Sequence, residues 1–254
     1  MRHYSITDVG ITREKNEDKY LDGIKVGEIF IIGVADGMGG HRGGNIASNI
    51  AVSTIKDFML KNQELTNQNI AMLPKIAKEA VEKANEEINK YKQQYNDFYH
   101  MGTTITVGFI YKDDVVIAHV GDSRAYLINR KDKIVQLTED HSLVNQLFQK
   151  GKITSEGAAN HPQKNILTRA LGTHDVISID IQKCSFPPES VMLFCTDGLT
   201  HYVGDDEIYQ TLSNSEDLKE GCKKLVELAN ERGGHDNITI SVVASDNLAG
   251  IFKR

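Results

Sequence analysis

The chain has 254 residues, 40% of them hydrophobic and 25% charged, with a formal net charge of -6. That is the composition of an ordinary globular protein, and the length suits one large domain or two small ones. The acidic balance gives no reason to expect nucleic acid or an anionic membrane as partner, and no apolar run approaches the ~18 residues that a bilayer span requires.

Cys184, Cys195 and Cys222 show no CxxC spacing, which points to reduced thiols rather than a disulfide framework. The first residues, MRHYSITDVGITREKNED, lack the apolar core of a signal peptide. A cytoplasmic location is therefore expected.

In chain order, residues 3–9 alternate as a strand and 12–18 form a charged loop containing Arg13, Glu17 and Asp18. Residues 29–35 read as a buried strand that ends on Asp36, followed by a loop dense in glycine: Gly37, Gly39, Gly40, Gly43 and Gly44. Ile46, Ala47, Ile50, Ala51, Thr54, Ile55, Phe58 and Met59 recur at helical spacing, which predicts an amphipathic helix packed on a core. A polar connection over 61–69 leads to a second helix over 74–91, with the stripe Ala77, Val81, Ala84, Ile88 and Tyr91.

Four β-branched-rich runs follow, at 103–111, 115–120, 124–129 and 133–137, separated by short breaks at 112–114, 121–123 and 130–132. Breaks of this length predict an antiparallel meander with a hairpin at each. A short helix is predicted over 142–149, then a polar segment rich in small residues over 150–164, then a strand of edge character over 176–183. Residues 191–196 form a second buried strand, and it too ends on an aspartate, Asp197. Helices over 205–212 and 217–231 precede a last strand over 237–244, which Asp236 opens. Strands in two groups with helices in pairs predict packed sheets covered by helices.

The aspartates carry the functional argument. A carboxylate at the tip of a buried strand costs free energy unless a cation or a donor compensates it. Asp36, Asp197 and Asp236 sit at the ends of apolar strands, and Asp122 follows another. Carboxylates are hard oxygen ligands that favour Mg²⁺ or Mn²⁺, and no Cys/His spacing of zinc type competes. Glycines beside Asp36 let backbone approach whatever is bound there.

Ordered blocks make the reading specific. These are RxxxED at Arg13, Glu17 and Asp18; VADGMGGHRGG at 34–44; GTT at 102–104; HVGDSRAY at 119–126; LTEDHS at 137–142; LTRALG at 167–172; CTDGL at 195–199; and GGHDNIT at 233–239. In these blocks the chain resembles the metal-dependent protein phosphatases, the type 2C serine/threonine phosphatases, in their compact bacterial form. The resemblance implies an α+β fold, a four-layer α/β/β/α sandwich of two packed antiparallel sheets, each flanked by a helix pair. It implies one catalytic domain over 1–254, with a flap near 150–164 that selects or gates substrate.

By the same resemblance, two Mn²⁺ or Mg²⁺ ions are expected. Asp36 would bridge them, the Gly37 carbonyl would bind the second, and Asp197 and Asp236 would hold the first. Glu17 and Asp18 would act nearby through water, and Asp122 would join Asp197 in a third, weaker site. Arg13 would bind the substrate phosphate. The implied activity is hydrolysis of phosphoserine and phosphothreonine in proteins, by direct attack of a hydroxide bridging the metals. Animal members carry a histidine directly after the Asp-Gly pair, where this chain has Met38. The general acid is then either His41 or a metal-bound water. Expected partners are phosphorylated proteins and an opposing serine/threonine kinase, with neither nucleic acid nor membrane. A metallophosphatase for small-molecule phosphates and a non-catalytic phosphoprotein-binding regulator are the alternatives.

Overall fold

The structure, a computed structural model, describes residues 1–39, 43–64, 70–154, 157–158 and 161–245. The chain runs β1 (Arg2–Asp8), β2 (Lys19–Val26), β3 (Ile29–Ala35), β4 (Gly37–Met38), α1 (Gly43–Lys61), α2 (Leu73–Gln94), β5 (Gly102–Thr103), β6 (Ile105–Tyr111), β7 (Asp114–Val120), β8 (Arg124–Asn129) and β9 (Lys133–Gln136). It continues with α3 (Leu143–Gln149), β10 (Asp180–Ser185), β11 (Val191–Cys195), the single turn α4 (Asp197–Thr200), α5 (Asp205–Ser213), α6 (Leu218–Glu231) and β12 (Ile238–Ala244).

Two five-stranded antiparallel sheets form, in the orders β1-β12-β11-β8-β9 and β10-β7-β6-β3-β2. Ile32, Val34, Ile110, Ile117, Met192, Phe194 and Val243 fill the space between them. Helices α1 and α2 cover the outer face of the second sheet, and α5 and α6 cover the first. This is the expected α/β/β/α sandwich. Among the described residues, no helix is long and apolar enough to cross a membrane. Cys195 and Cys222 are buried, Cys184 is half-buried, and all three are free.

The register explains why distant segments meet. β1 pairs with β12 so that Asp8 faces Ile238, and the loops 9–18 and 232–237 therefore leave the same end. Lys19 faces Ala35, which puts Asp18 and Asp36 at that end as well. Cys195 faces both Ile240 and Arg124, adding Asp197 and the segment before β8.

The break at 121–123 is not the expected hairpin. β7 and β8 lie in different sheets. Gly121 adopts φ +118°, and a Cβ there would lie 2.5 Å from Thr104, so the chain turns sharply at the sandwich end and crosses over. Asp122 is thereby placed at the common end instead of on a sheet edge. The predicted strand 103–111 is interrupted at Thr104, and β4 pairs with β5 as a separate ribbon. On α1 the buried face is Ala47, Ser48, Ala51, Val52, Ile55 and Met59, rotated from the expected stripe, with Ile46, Ile50 and Phe58 only partly buried.

Two features of the core give measurable consequences. Gly108 on β6 faces Phe194 across the sandwich, and a Cβ would sit 2.5 Å from the ring. Gly108→Ala should lower stability by about 1–3 kcal/mol through overpacking, and Phe194→Leu in the same chain should recover part of that loss in urea titrations. His119, buried on β7, donates from Nε2 to the Glu139 carbonyl at 3.0 Å, and burial lowers its pKa to about 4. The unfolded ring titrates near ~6.5. Between these values the unfolded state binds more protons, so stability should fall as pH drops from ~6.5 toward ~4. His119→Gln should make that decline shallower in denaturant titrations across the same range.

Candidate metal centre

The common end of the sandwich opens into a cleft of about 650 Å³, lined by Arg13, Glu17, Asp36, Gly37, Asp122, Asp197 and Asp236 among others. Asp36 is aimed by its backbone. Its N–H donates to Thr104 Oγ1 at 2.9 Å, and its carbonyl accepts from Thr103 Oγ1 and from the Thr104 N–H, both at 2.8 Å. Both threonines come from the GTT block. Gly37 and Gly44 lie against each other and against Glu17. A Cβ on Gly37 would sit 2.2 Å from the Gly44 carbonyl oxygen and 2.6 Å from that of Glu17. Ser48 on α1 donates to the Glu17 carbonyl at 2.5 Å.

Asp197 starts the turn after β11, and the next residue is held tightly. A Cβ on Gly198 would lie 2.0 Å from the Asn237 carbonyl oxygen. Asp236 accepts from the Arg13 guanidinium at 2.9 Å through Oδ2 and from the Asn237 N–H at 2.8 Å through Oδ1. Arg13 also donates from Nε to the His235 carbonyl at 3.2 Å. Asp18 is buried behind the cleft rather than lining it, and accepts from Thr196 Oγ1 at 2.8 Å.

The electrostatics are dominated by burial and by like charge. Burial pushes the Asp36 carboxyl well above the usual range, and Asp18, Asp197, Asp122 and Asp236 push it further. Asp122 rises for the same reasons, with Asp197 its chief repelling neighbour. Burial raises Asp18 to about 7. Asp197 is also raised by burial, against the opposing effect of His201.

These residues fit a divalent cation. The Asp197 Oδ1 is buried and has no hydrogen-bond partner, and the donor set is oxygen throughout. Among the described residues, no three acidic, histidine or cysteine side chains stand close enough together, as placed here, to hold a metal ion between them. The carboxylates share a cleft, and part of Asp236 is committed to Arg13.

Of the residues expected from sequence, Arg13, Glu17, Asp36, Gly37, Asp122, Asp197 and Asp236 line this cleft together. His41 lies outside the described residues, as do 155–156 and 159–160 of the expected flap. Met38 turns toward Gly102, where a Cβ would lie 3.0 Å from Met38 Cε.

Sequence reasoning missed Asn237. Its Nδ2 donates to the Val9 and Lys15 carbonyls at 2.9 and 3.0 Å, and its Oδ1 accepts from the Glu17 N–H at 2.8 Å. One amide thus fastens the Arg13–Glu17 loop to the Asp236 loop. Its signal was present: a polar residue opening a strand that is otherwise buried.

A family model described as protein phosphatase 2C matches residues 12–249. The serine/threonine phosphatase stp of Listeria monocytogenes is 39% identical over 248 residues, covering 94% of this chain and 94% of its own. The S. agalactiae serine/threonine phosphatase superposes with a TM-score of 0.88 at 34% identity, covering 96% of this chain and 99% of that one. The catalytic domain of the serine/threonine protein phosphatase PstP, solved in complex with two manganese ions, superposes with a TM-score of 0.81 at 30% identity, covering 95% of this chain and 96% of that one. The chain belongs to the protein phosphatase 2C family and is a serine/threonine protein phosphatase of that type.

Proposed function

We propose that the acidic end of the sandwich is the catalytic centre, where phosphoserine and phosphothreonine esters of proteins are hydrolysed with the help of two divalent ions. The observation that carries this is the convergence of Asp36, Asp122, Asp197 and Asp236 with Arg13 on one cleft. Asp36, Asp197 and Asp236, with the Gly37 carbonyl, would hold the pair, Mn²⁺ or Mg²⁺, and Glu17 and Asp18 would act through water. The two manganese ions of the PstP structure support that count. Such ions supply a nucleophilic water at neutral pH and neutralise developing charge.

The chain's own groups do the rest. Arg13 offers a planar fork for two phosphoryl oxygens. Its anchorage on the His235 carbonyl and Asp236 keeps the fork at the cleft mouth. Catalysis of this kind rests on positioning and charge, and the Asn237 amide fixes the relation between the arginine and the acidic groups. Met38 carries no transferable proton. His41 is the candidate for protonating the leaving alkoxide, with water as the other donor.

Asp122, with Asp197 as its strongest repelling neighbour, would form a third and weaker site. The segment 150–164 would serve as the flap, and the chain would act as one catalytic domain. A phosphorylated serine or threonine has to be made before it can be removed, so a serine/threonine kinase is the opposing partner. The complete acidic set speaks against a regulator without catalysis. Relatives named as serine/threonine phosphatases speak against a purely small-molecule substrate.

Asp36→Ala or Asp236→Ala should reduce Mn²⁺-dependent hydrolysis of p-nitrophenyl phosphate by about a hundredfold or more, weaken Mn²⁺ binding in calorimetry and leave the fold intact by circular dichroism. Retention of wild-type turnover by either variant would remove that ligand from the centre. Arg13→Ala should raise KM for a phosphopeptide by about 10- to 100-fold, the scale of a lost charge-assisted hydrogen bond, and change Mn²⁺ affinity far less. An unchanged KM would place the phosphate elsewhere.

A further inference from the structure

Helix α2 carries a polar residue inside its apolar stripe. Asn85, between Ala84 and Ile88, is 2% exposed. A buried amide is tolerated only when hydrogen-bonded, and the Asn85 side chain bonds to one short segment. Its Nδ2 donates to the carbonyls of His174 and Asp175 at 2.9 and 3.1 Å, and its Oδ1 accepts from the Gly172 N–H at 2.7 Å. One turn later, Asn89 Nδ2 donates to the His174 carbonyl at 3.0 Å, and Lys92 Nζ donates to the Gly172 carbonyl. Residues 85, 89 and 92 share one helix face.

The segment they hold is a wall of the catalytic cleft. Thr173 and His174 line it, as do Arg13, Glu14 and Lys15. Both Thr173 and His174 are exposed, so no core packing fixes them. Thr173 spends its hydroxyl on the Ala170 carbonyl at 2.7 Å. The His174 ring has no hydrogen-bond partner among the described residues. A phosphate ester as small as p-nitrophenyl phosphate needs only the acidic end and Arg13. A polypeptide must also lie along the walls, and an exposed wall binds well only if it is held in place beforehand.

We propose that Asn85 is a positioning residue that presents His174 to the polypeptide flanking the phosphoserine or phosphothreonine, so that α2 sets discrimination between protein and small-molecule substrates. The inference deepens the phosphatase reading and rests on it.

The test compares steady-state kinetics of the full chain with Mn²⁺ on p-nitrophenyl phosphate and on a phosphothreonine peptide. Asn85→Ala should raise KM for the peptide about fivefold or more, with kcat and the p-nitrophenyl phosphate constants within about twofold of wild type. Asn89→Ala should move the same ratio in the same direction, by less. In a His174→Ala background, Asn85→Ala should add less than about twofold to the peptide KM, because one residue acts through the other.

Equal losses on both substrates, no change on either, or full additivity with His174→Ala would overturn the proposal. If Asn85→Ala fails to fold by circular dichroism, the half-buried Asn89 decides by the same substrate ratio. Wild-type protein inert on both substrates would instead overturn the phosphatase reading itself.

Discussion

Like charges gathered where water cannot screen them are the constraint on which this structure turns. At ~4 Å, two carboxylates repel by about 4 kcal/mol at an effective dielectric of ~20, and a domain of ordinary stability has only about 5–15 kcal/mol to spare. Asp18, Asp36, Asp122 and Asp197 all feel this repulsion, since burial and their neighbours raise every one of them. Protons relieve it at the cost of the negative charge. Divalent cations relieve it and keep the carboxylates ionised, and the hard oxygen donors present are the kind such ions take. The chemistry of the site and the stability of the fold are thus one electrostatic problem.

The geometry of that end is held by a few polar groups fixed to rigid strands. Thr103 and Thr104 grip the Asp36 backbone, Thr196 meets Asp18, and Asn237 joins two loops that lie 220 residues apart in sequence. The sheets set the frame for these groups. Because side chains alternate along a strand, a one-residue slip of β1 against β12 would turn every inward group outward. The apolar packing between the sheets therefore fixes the relation of Arg13 to Asp236 as surely as the direct bond between them does.

Much of this was legible in the sequence. The strand ends at Asp36, Asp197 and Asp236 stood out because an apolar run stopping on a carboxylate conflicts with simple burial. The β7-to-β8 crossover was not legible. A three-residue break between β-branched runs has the length of a hairpin, and only the contact of Gly121 with Thr104 and the sheet order reveal a change of sheet. β2 went unread because Lys19, Asp22 and Lys25 interrupt its alternation on a strand at the edge of its sheet. The rotation of α1 hid behind Ser48, a polar residue on the buried face whose hydroxyl bonds the Glu17 carbonyl. Asn85 and Asn237 escaped notice because asparagine usually marks turns and caps. In both cases the telling signal was an amide at a position whose neighbours along the element are buried.

The two sides of the cleft have different origins, and that difference has consequences. The acidic side is built from the ends of strands in both sheets, so a change there perturbs the sandwich core and the charge balance together. Thr173 and His174 line the cleft from a segment, Gly172–Asp175, that is tied to α2 by side chains and lies outside the packing between the sheets. The bonds from Asn85 and Asn89 to it run to backbone atoms, which are indifferent to the side chains displayed, and it meets the acidic side through Leu171, which pairs with Thr103 beneath Asp36. An arrangement of this kind would let the surface proposed to meet a polypeptide change while the proposed catalytic centre stays fixed. On the proposed function, substrate preference would lie in the helical layer of the fold and reactivity in the sheets.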